Sequence, residues 1–172
     1  MKKLGLVLLG LALSFLPVSA QNVWEIDRTH TNVEFTATHL LISEVTGHFK
    51  NFSGSVTVTK PDFSDAQAEI TIKVASITTD NERRDGHLKS ADFFNAGIDS
   101  EITFKSKSFN KTGDNTYKIT GDLTMRGVTK SIELDGIYKG EINAFGGTRM
   151  GWKLAGTVNR FDFGLNWNKE IE

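Results

Sequence analysis

Cysteine is absent from all 172 residues. No disulfide can brace the fold, so stability has to come from packing, and the residue that anchors a bacterial lipoprotein to its lipid is missing. A surplus of either charge is lacking as well: 20 Lys and Arg stand against 21 Asp and Glu, a formal net charge of −1. The basic residues are scattered rather than striped, which argues against nucleic acid and anionic membrane surfaces as partners. Neither a Gly-x-Ser-x-Gly nor a His-Glu-x-x-His motif occurs, so no recognisable hydrolytic or metalloprotease centre is written into the chain. After residue 17 there is no apolar run long enough to span a bilayer.

The single long apolar run stretches from Leu4 to Pro17, behind Met1-Lys2-Lys3 and ahead of Val18-Ser19-Ala20. A positive start, an apolar stretch too short for a span and small residues before a cleavage point are the marks of a secretory signal peptide. Residues 1–20 are therefore expected to be removed near Ala20, leaving residues 21–172 as one exported domain. Its length suffices for a real core, and no linker or change of composition divides it.

Alternation with a period of two dominates after residue 30. Val33, Phe35, Ala37 and His39 share one parity, as do Phe52, Gly54, Val56 and Val58. The same holds for Ala66 to Val74, for Ile102 and Phe104, for Tyr117 to Met125, for Ile132 to Tyr138 and for Met150 to Val158. These are seven one-faced strands, with a short eighth at Val23–Ile26. Such strands hide their apolar faces by pairing as a sandwich or by closing into a barrel. Gly54, Ala66, Ala68, Gly121, Gly136 and Gly156 all fall on the apolar parity. Either they hollow the interior or they let coiled strands turn corners, and both readings favour a barrel.

The wall left around such a space is Phe35, Ile70, Ile72, Phe104, Tyr117, Met125 and Trp152, suited to an apolar chain or to a dry core of its own. Between strands lies a charged insertion. Thr79-Asp80-Asn81-Glu82 carries a helix-start pattern, Gly86 weakens the helix, and Ser90 with Asp92 can cap a second turn bearing Phe93 and Phe94. The insertion is expected to lie over one mouth of the barrel with Leu88, Phe93 and Phe94 inward.

His30, His39 and His48 recur every nine residues, but strand spacing alone does not bring three imidazoles together, and no metal or other cofactor is expected. His39 continues an apolar parity and could meet a lipid head group or bond to backbone. Arg160 continues the inward parity of Trp152 to Val158 and needs a carboxylate. Asp27, Asp85 and Asp162 are the candidates, and with Arg84 and His87 they would form a polar clasp that pins the insertion to the strands.

The motifs Trp24-x-Ile-Asp27-x-x-His30, Phe35-x-x-x-His39, Gly47-x-Phe49-x-x-Phe52-x-Gly54, Arg84-Asp85-x-His87-Leu88-Lys89-Ser90-x-x-Phe93-Phe94, Gly121-x-Leu123-Thr124-x-x-Gly127-Val128-Thr129 and Arg160-x-Asp162-Phe163-Gly164 run through the mature chain in this order. Together they resemble the YceI-like lipid/polyisoprenoid-binding family. The resemblance implies an all-β, lipocalin-like antiparallel barrel with a short helical insertion, in the bacterial periplasm or secreted. It also implies a binding or carrier protein and not an enzyme, holding an isoprenoid quinone, polyprenyl lipid or similar amphiphile. Its tail would lie among Phe35, Ile70, Ile72, Phe104, Tyr117, Ile119, Leu123, Met125 and Trp152, with His39 and Tyr117 as polar contacts. Arg84, Asp85, His87, Phe93, Phe94, Asp27, Arg160 and Asp162 would serve as lid and clasp. An exported hydrolase with a lid helix, or a ligand-free interaction or stress module, is the alternative.

One departure stands out. Members of the family continue past the Phe-Gly motif into a strand that closes the barrel, and only Leu165 to Ile171 are available for it here, so that strand is expected to be missing. The chain is then truncated, or Val23–Ile26 close the gap, or a partner chain does so in a homodimer, with lower stability or self-association as the consequence.

Overall fold

The structure is a computed structural model, and it describes residues 22–39 and 42–167. The expected signal peptide lies outside the described residues. Among these residues there are ten strands: β1 (Asn22–Glu25), β2 (Glu34–His39), β3 (Ser43–Phe49), β4 (Phe52–Val58), β5 (Gln67–Lys73), β6 (Ile77–Thr78), β7 (Glu101–Lys111), β8 (Thr116–Met125), β9 (Val128–Ala144) and β10 (Gly147–Ala155). One helix, α1 (Glu82–Lys89), and two 3-10 turns, at Val74–Ser76 and Arg160–Phe163, complete the elements.

Seven strands pair antiparallel in the order β1-β4-β5-β7-β8-β9-β10, and β2-β3-β6 form a second, smaller sheet. The large sheet is curled like half a barrel. β1 bonds only to β4, on the side away from β10, and β10 bonds only to β9 among the described residues. The short N-terminal strand therefore does not lace the sheet shut through its backbone. The two ends of the sheet nevertheless approach each other: Arg149, on β10, lies 3.4 Å from the carboxylate of Asp27, two residues past the end of β1.

The alternation places the core where the sequence puts it, on one face of β5, β7, β8, β9 and β10. Two bulges reset that parity. In β7 the register to β8 slips at Lys107, which turns Phe109 inward although it lies out of phase with Ile102 and Phe104. In β9 the slip falls at Lys139, beside Gly140, whose φ of +106° requires glycine.

The expectation that inward glycines hollow the interior is corrected. A Cβ at Gly121 would lie 2.5 Å from the ring of Phe104, one at Gly136 would lie 2.9 Å from Ile119 Cδ1, and one at Gly156 would lie 2.5 Å from Leu134 Cδ2. Gly47 is covered in the same way by the ring of Phe35, which faces it across the β2–β3 ladder. Each glycine admits a neighbouring side chain that lies flat across it. The volume removed at one position is filled from the next strand, and this close packing is what the glycines supply.

Candidate ligand-binding site

The interior has two apolar clusters. The first contains Val58, Phe63, Ala66, Ala68, Phe104, Phe109, Tyr117 and Ile119, with Trp24, Ile70, Tyr138, Met150 and Trp152 packed against it. The second contains Phe49, Val74, Ile77, Ile102, Met125, Phe163 and Leu165, with Phe35, Ile72, Leu88, Phe93 and Phe94 against it. Leu123 and Ile132 pack against both. Through Leu123 and Ile132 the two clusters join into one apolar interior that reaches from the aromatic end of the sheet to the helical insertion.

Of the residues expected to line the tail, Ile70, Phe104, Tyr117, Ile119 and Trp152 fall in the first cluster and Phe35, Ile72 and Met125 in the second, with Leu123 at the junction. Ile119 is fully buried. His39 ends β2 opposite Ser43, and its side chain lies outside the described part. The centre of the first cluster is aromatic. Trp152 stands 5.1 Å from Tyr117, 5.2 Å from Tyr138 and 6.2 Å from Phe109, and Phe63 approaches Tyr117, Tyr138 and Trp152 at 6.0, 5.0 and 5.0 Å between ring centres. Burial, with the charge of Asp62 nearby, pushes the Tyr117 phenol above its ordinary pKa, and burial does the same to Tyr138. Both hydroxyls therefore stay neutral. The indole N–H of Trp24 is buried and finds no acceptor among the described residues, in a setting where such donors are normally paired.

Sequence reading did not single out Phe63, Phe109, Tyr138 or Trp24 as site residues. Phe109 is concealed by the bulge, and Phe63 sits in the loop between β4 and β5, where no periodicity announces an inward side chain. Two open surface hollows of about 360 Å3 each lie outside this interior, one by Asn81, Arg83, Arg84 and His87 and one at the β9–β10 turn.

Leu88, Phe93 and Phe94 of the insertion pack against the second cluster, with Phe94 edge-on to Phe49 at 6.1 Å and Phe49 against Phe35 at 5.8 Å. Its helix starts later than the Thr79 pattern implied: Asn81 is the cap, its side chain accepting the N–H of Arg84 at 3.0 Å. Thr79 has another task. Its N–H and hydroxyl donate to buried Asp85 at 2.8 and 2.6 Å, while Arg84 Nε donates to that hydroxyl at 2.7 Å and its guanidinium to the Thr79 carbonyl at 2.8 Å. Burial alone would raise the pKa of Asp85, but the hydrogen bonds from Thr79 outweigh it and hold the carboxyl below its ordinary value.

The expected single clasp is corrected to three separate fastenings. Arg84 and Asp85 meet at Thr79. Asp27 belongs to a loop in which it accepts from Thr29 at 2.5 Å and contacts His30 at 2.8 Å, and those bonds hold its carboxyl well below the usual carboxylate range. Arg160 donates to the carbonyls of Leu165 and Trp167 at 2.6 and 2.7 Å and lies over Phe161 and Phe93, whereas Asp162 is exposed. His87 stands edge-on to Phe93 and Trp167, with Asp92 at 3.3 Å. A further fastening lies at a residue that no sequence pattern marks: Arg126, at the β8–β9 turn, donates to the carbonyls of Ala91, Phe93 and Gly164 at 2.9, 2.7 and 3.0 Å.

Fold and site together define an all-β protein of the lipocalin-like kind, a curled antiparallel sheet whose concave face is aromatic and roofed by a helical insertion. The chain belongs to the YceI-like family: the family model described as YceI-like domain matches residues 24–172. A UPF0312 protein of Staphylococcus aureus is 38% identical over 150 residues, covering 85% of this chain and 84% of that one. Among solved structures, the YCEI protein of Campylobacter jejuni is 37% identical, covers 81% of this chain and 82% of its own, and superposes with a TM-score of 0.66. BcnA of Burkholderia cenocepacia is 25% identical, with a TM-score of 0.62 over 67% of this chain and 72% of its own.

Proposed function

We propose that this protein is exported across the cytoplasmic membrane and acts there as a non-enzymatic binding or carrier protein for a long-chain isoprenoid, such as an isoprenoid quinone or polyprenyl lipid, or a similar amphiphile. The observation that carries this reading is the continuous apolar interior, joined at Leu123 and Ile132, from the aromatic cluster around Trp152 to the Phe93-Phe94 roof. A tail laid along it gains about 0.8 kcal/mol per methylene removed from water, so few polar contacts are required. Membership of the YceI-like family supports the same conclusion, as does the signal-peptide pattern of residues 1–20 for the compartment.

The test is organic extraction and native mass spectrometry of the full chain expressed in a Gram-negative host and recovered from its periplasm. One amphiphile per chain, lost on delipidation and regained on incubation with the host's lipid extract, is the expected result. A chain recovered without a bound amphiphile that takes up nothing from that extract would overturn the reading.

A further inference from the structure

We infer that Phe63 is a plug: the ring occupies the place of the ligand's planar head in the empty protein and withdraws when an amphiphile enters. The inference rests on the binding function proposed above and identifies the end of the apolar interior at which the head is seated.

Three observations carry it. Phe63 belongs to no strand, yet its ring is 9% exposed and meets Tyr117 and Trp152 edge-on, at 88° in both pairs, in the middle of the aromatic cluster. Every other ring in that group is presented by a strand of the sheet; this one is delivered by the loop 59–66. Its backbone has φ +60°, a left-handed conformation that a bulky side chain rarely adopts and that persists only where the surroundings impose it.

The second observation is how the loop is held. Asp65 accepts from the N–H groups of Thr59 and Lys60 at 3.2 and 3.0 Å and from the Thr59 hydroxyl. Asp62 accepts from Ser64 N–H at 3.0 Å, Phe63 N–H reaches Lys60 O at 3.1 Å, and Ala66 N–H reaches Phe63 O at 3.0 Å. All of these bonds begin and end between residues 59 and 66. The loop is therefore a preformed unit that can pivot about Val58 and Gln67 and lift its ring out without parting any rung of the sheet.

The third is the buried indole N–H of Trp24, left without an acceptor on the same apolar cluster. A phenyl ring cannot satisfy it. A head group that combines a flat ring with a carbonyl replaces the ring contacts of Phe63 and also accepts that bond. The ligand class is thus a carbonyl-bearing ring with an apolar tail, the tail following the apolar interior toward Leu123.

The test is titration of the delipidated chain with decylubiquinone, a benzoquinone with a ten-carbon tail, read by quenching of tryptophan fluorescence. A plug that is withdrawn in less than about a tenth of molecules depresses apparent affinity at least tenfold, so Phe63→Ala is expected to bind about tenfold more tightly than the unaltered chain. Equal or weaker binding by a folded Phe63→Ala overturns the plug while leaving the carrier function intact. Failure of both chains to bind the quinone also overturns it, and the carrier function falls as well only if the extraction above finds no amphiphile. Should Phe63→Ala not fold, NMR of the unaltered chain decides: with saturating decylubiquinone the nuclear Overhauser contacts of the Phe63 ring with Tyr117 and Trp152 should vanish, and their persistence overturns the inference.

Discussion

Asp85 shows how a single side chain sets the position of an element. It is the buried residue of α1, and both of its hydrogen bonds from Thr79 go to one carboxylate oxygen. Those bonds favour the ionised form, so its pKa falls from the ordinary 3.8. A group whose folded-state pKa is depressed contributes stability that is complete above the unfolded value and is lost as pH falls through the folded one. Asp85→Asn, which keeps the shape and removes the charge, should therefore unfold at lower urea than the unaltered chain at pH 7, with the gap between the two midpoints closing as pH drops below about 4. A gap that stays constant from pH 7 to pH 3 would show that the charge of Asp85 has no part in fastening the helix. At this scale the sequence was legible for residues on a regular period and silent for the rest. Phe104, Tyr117 and Ile119 announce themselves by alternation, whereas Phe63 and Phe109 face inward for reasons, a loop conformation and a bulge, that alternation does not encode.

The helical insertion illustrates what an element owes to distant backbone. Its charged residues suggested that side chains would pair with one another, and the structure instead uses arginines to satisfy carbonyl groups. Arg126 reaches Ala91 and Phe93 in the insertion and Gly164 beyond the second 3-10 turn, tying three segments that are far apart in sequence. Hydrogen bonds with a charged donor contribute about 1.5–3 kcal/mol each when measured by removal, and they share one guanidinium here. Arg126→Ala should accordingly cost about 3 kcal/mol of unfolding free energy in urea. It should also speed amide exchange at Asn95 and Ala96, whose bonds to Ser90 and Lys89 hold the turn in shape. Arg126→Lys should recover only a fraction, because an ammonium lacks the planar fork that serves several carbonyls at once. This fastening was hidden from sequence reading because an arginine at a tight turn looks like an ordinary exposed charge. Likewise β3 and β6 went unrecognised: the alternation of Val45, Gly47 and Phe49 is interrupted by a glycine, and a strand of two residues has no period to detect.

For the whole molecule, the expected barrel is recovered as a sheet curled far enough for its ends to meet through side chains. The sequence pattern carries the handedness of faces, inside against outside, and does not carry the number of rungs between first and last strand. Closure by Asp27 and Arg149 is an exposed ion pair, weak and screened by salt. Amides of β10 that point away from β9 should therefore exchange fast, and those of β8, bonded on both sides by β7 and β9, should be the slowest in the protein. Equal protection of both sets of β10 amides, measured by NMR at micromolar protein, would mean that something bonds to that edge in solution.

The succession β7, β8, β9, β10 has a kinetic corollary. Each of these strands pairs with the next one in the chain, through turns as short as Arg126-Gly127 and Phe145-Gly146, so residues 101–155 can zip up by successive hairpins with little chain entropy lost at any step. The N-terminal third has only isolated hairpins, β2 with β3 and β4 with β5, while β1 and β6 must find β4 and β3 across intervening segments. Nascent chains would thus acquire their order from the carboxyl-terminal half backward, against the direction in which they are made.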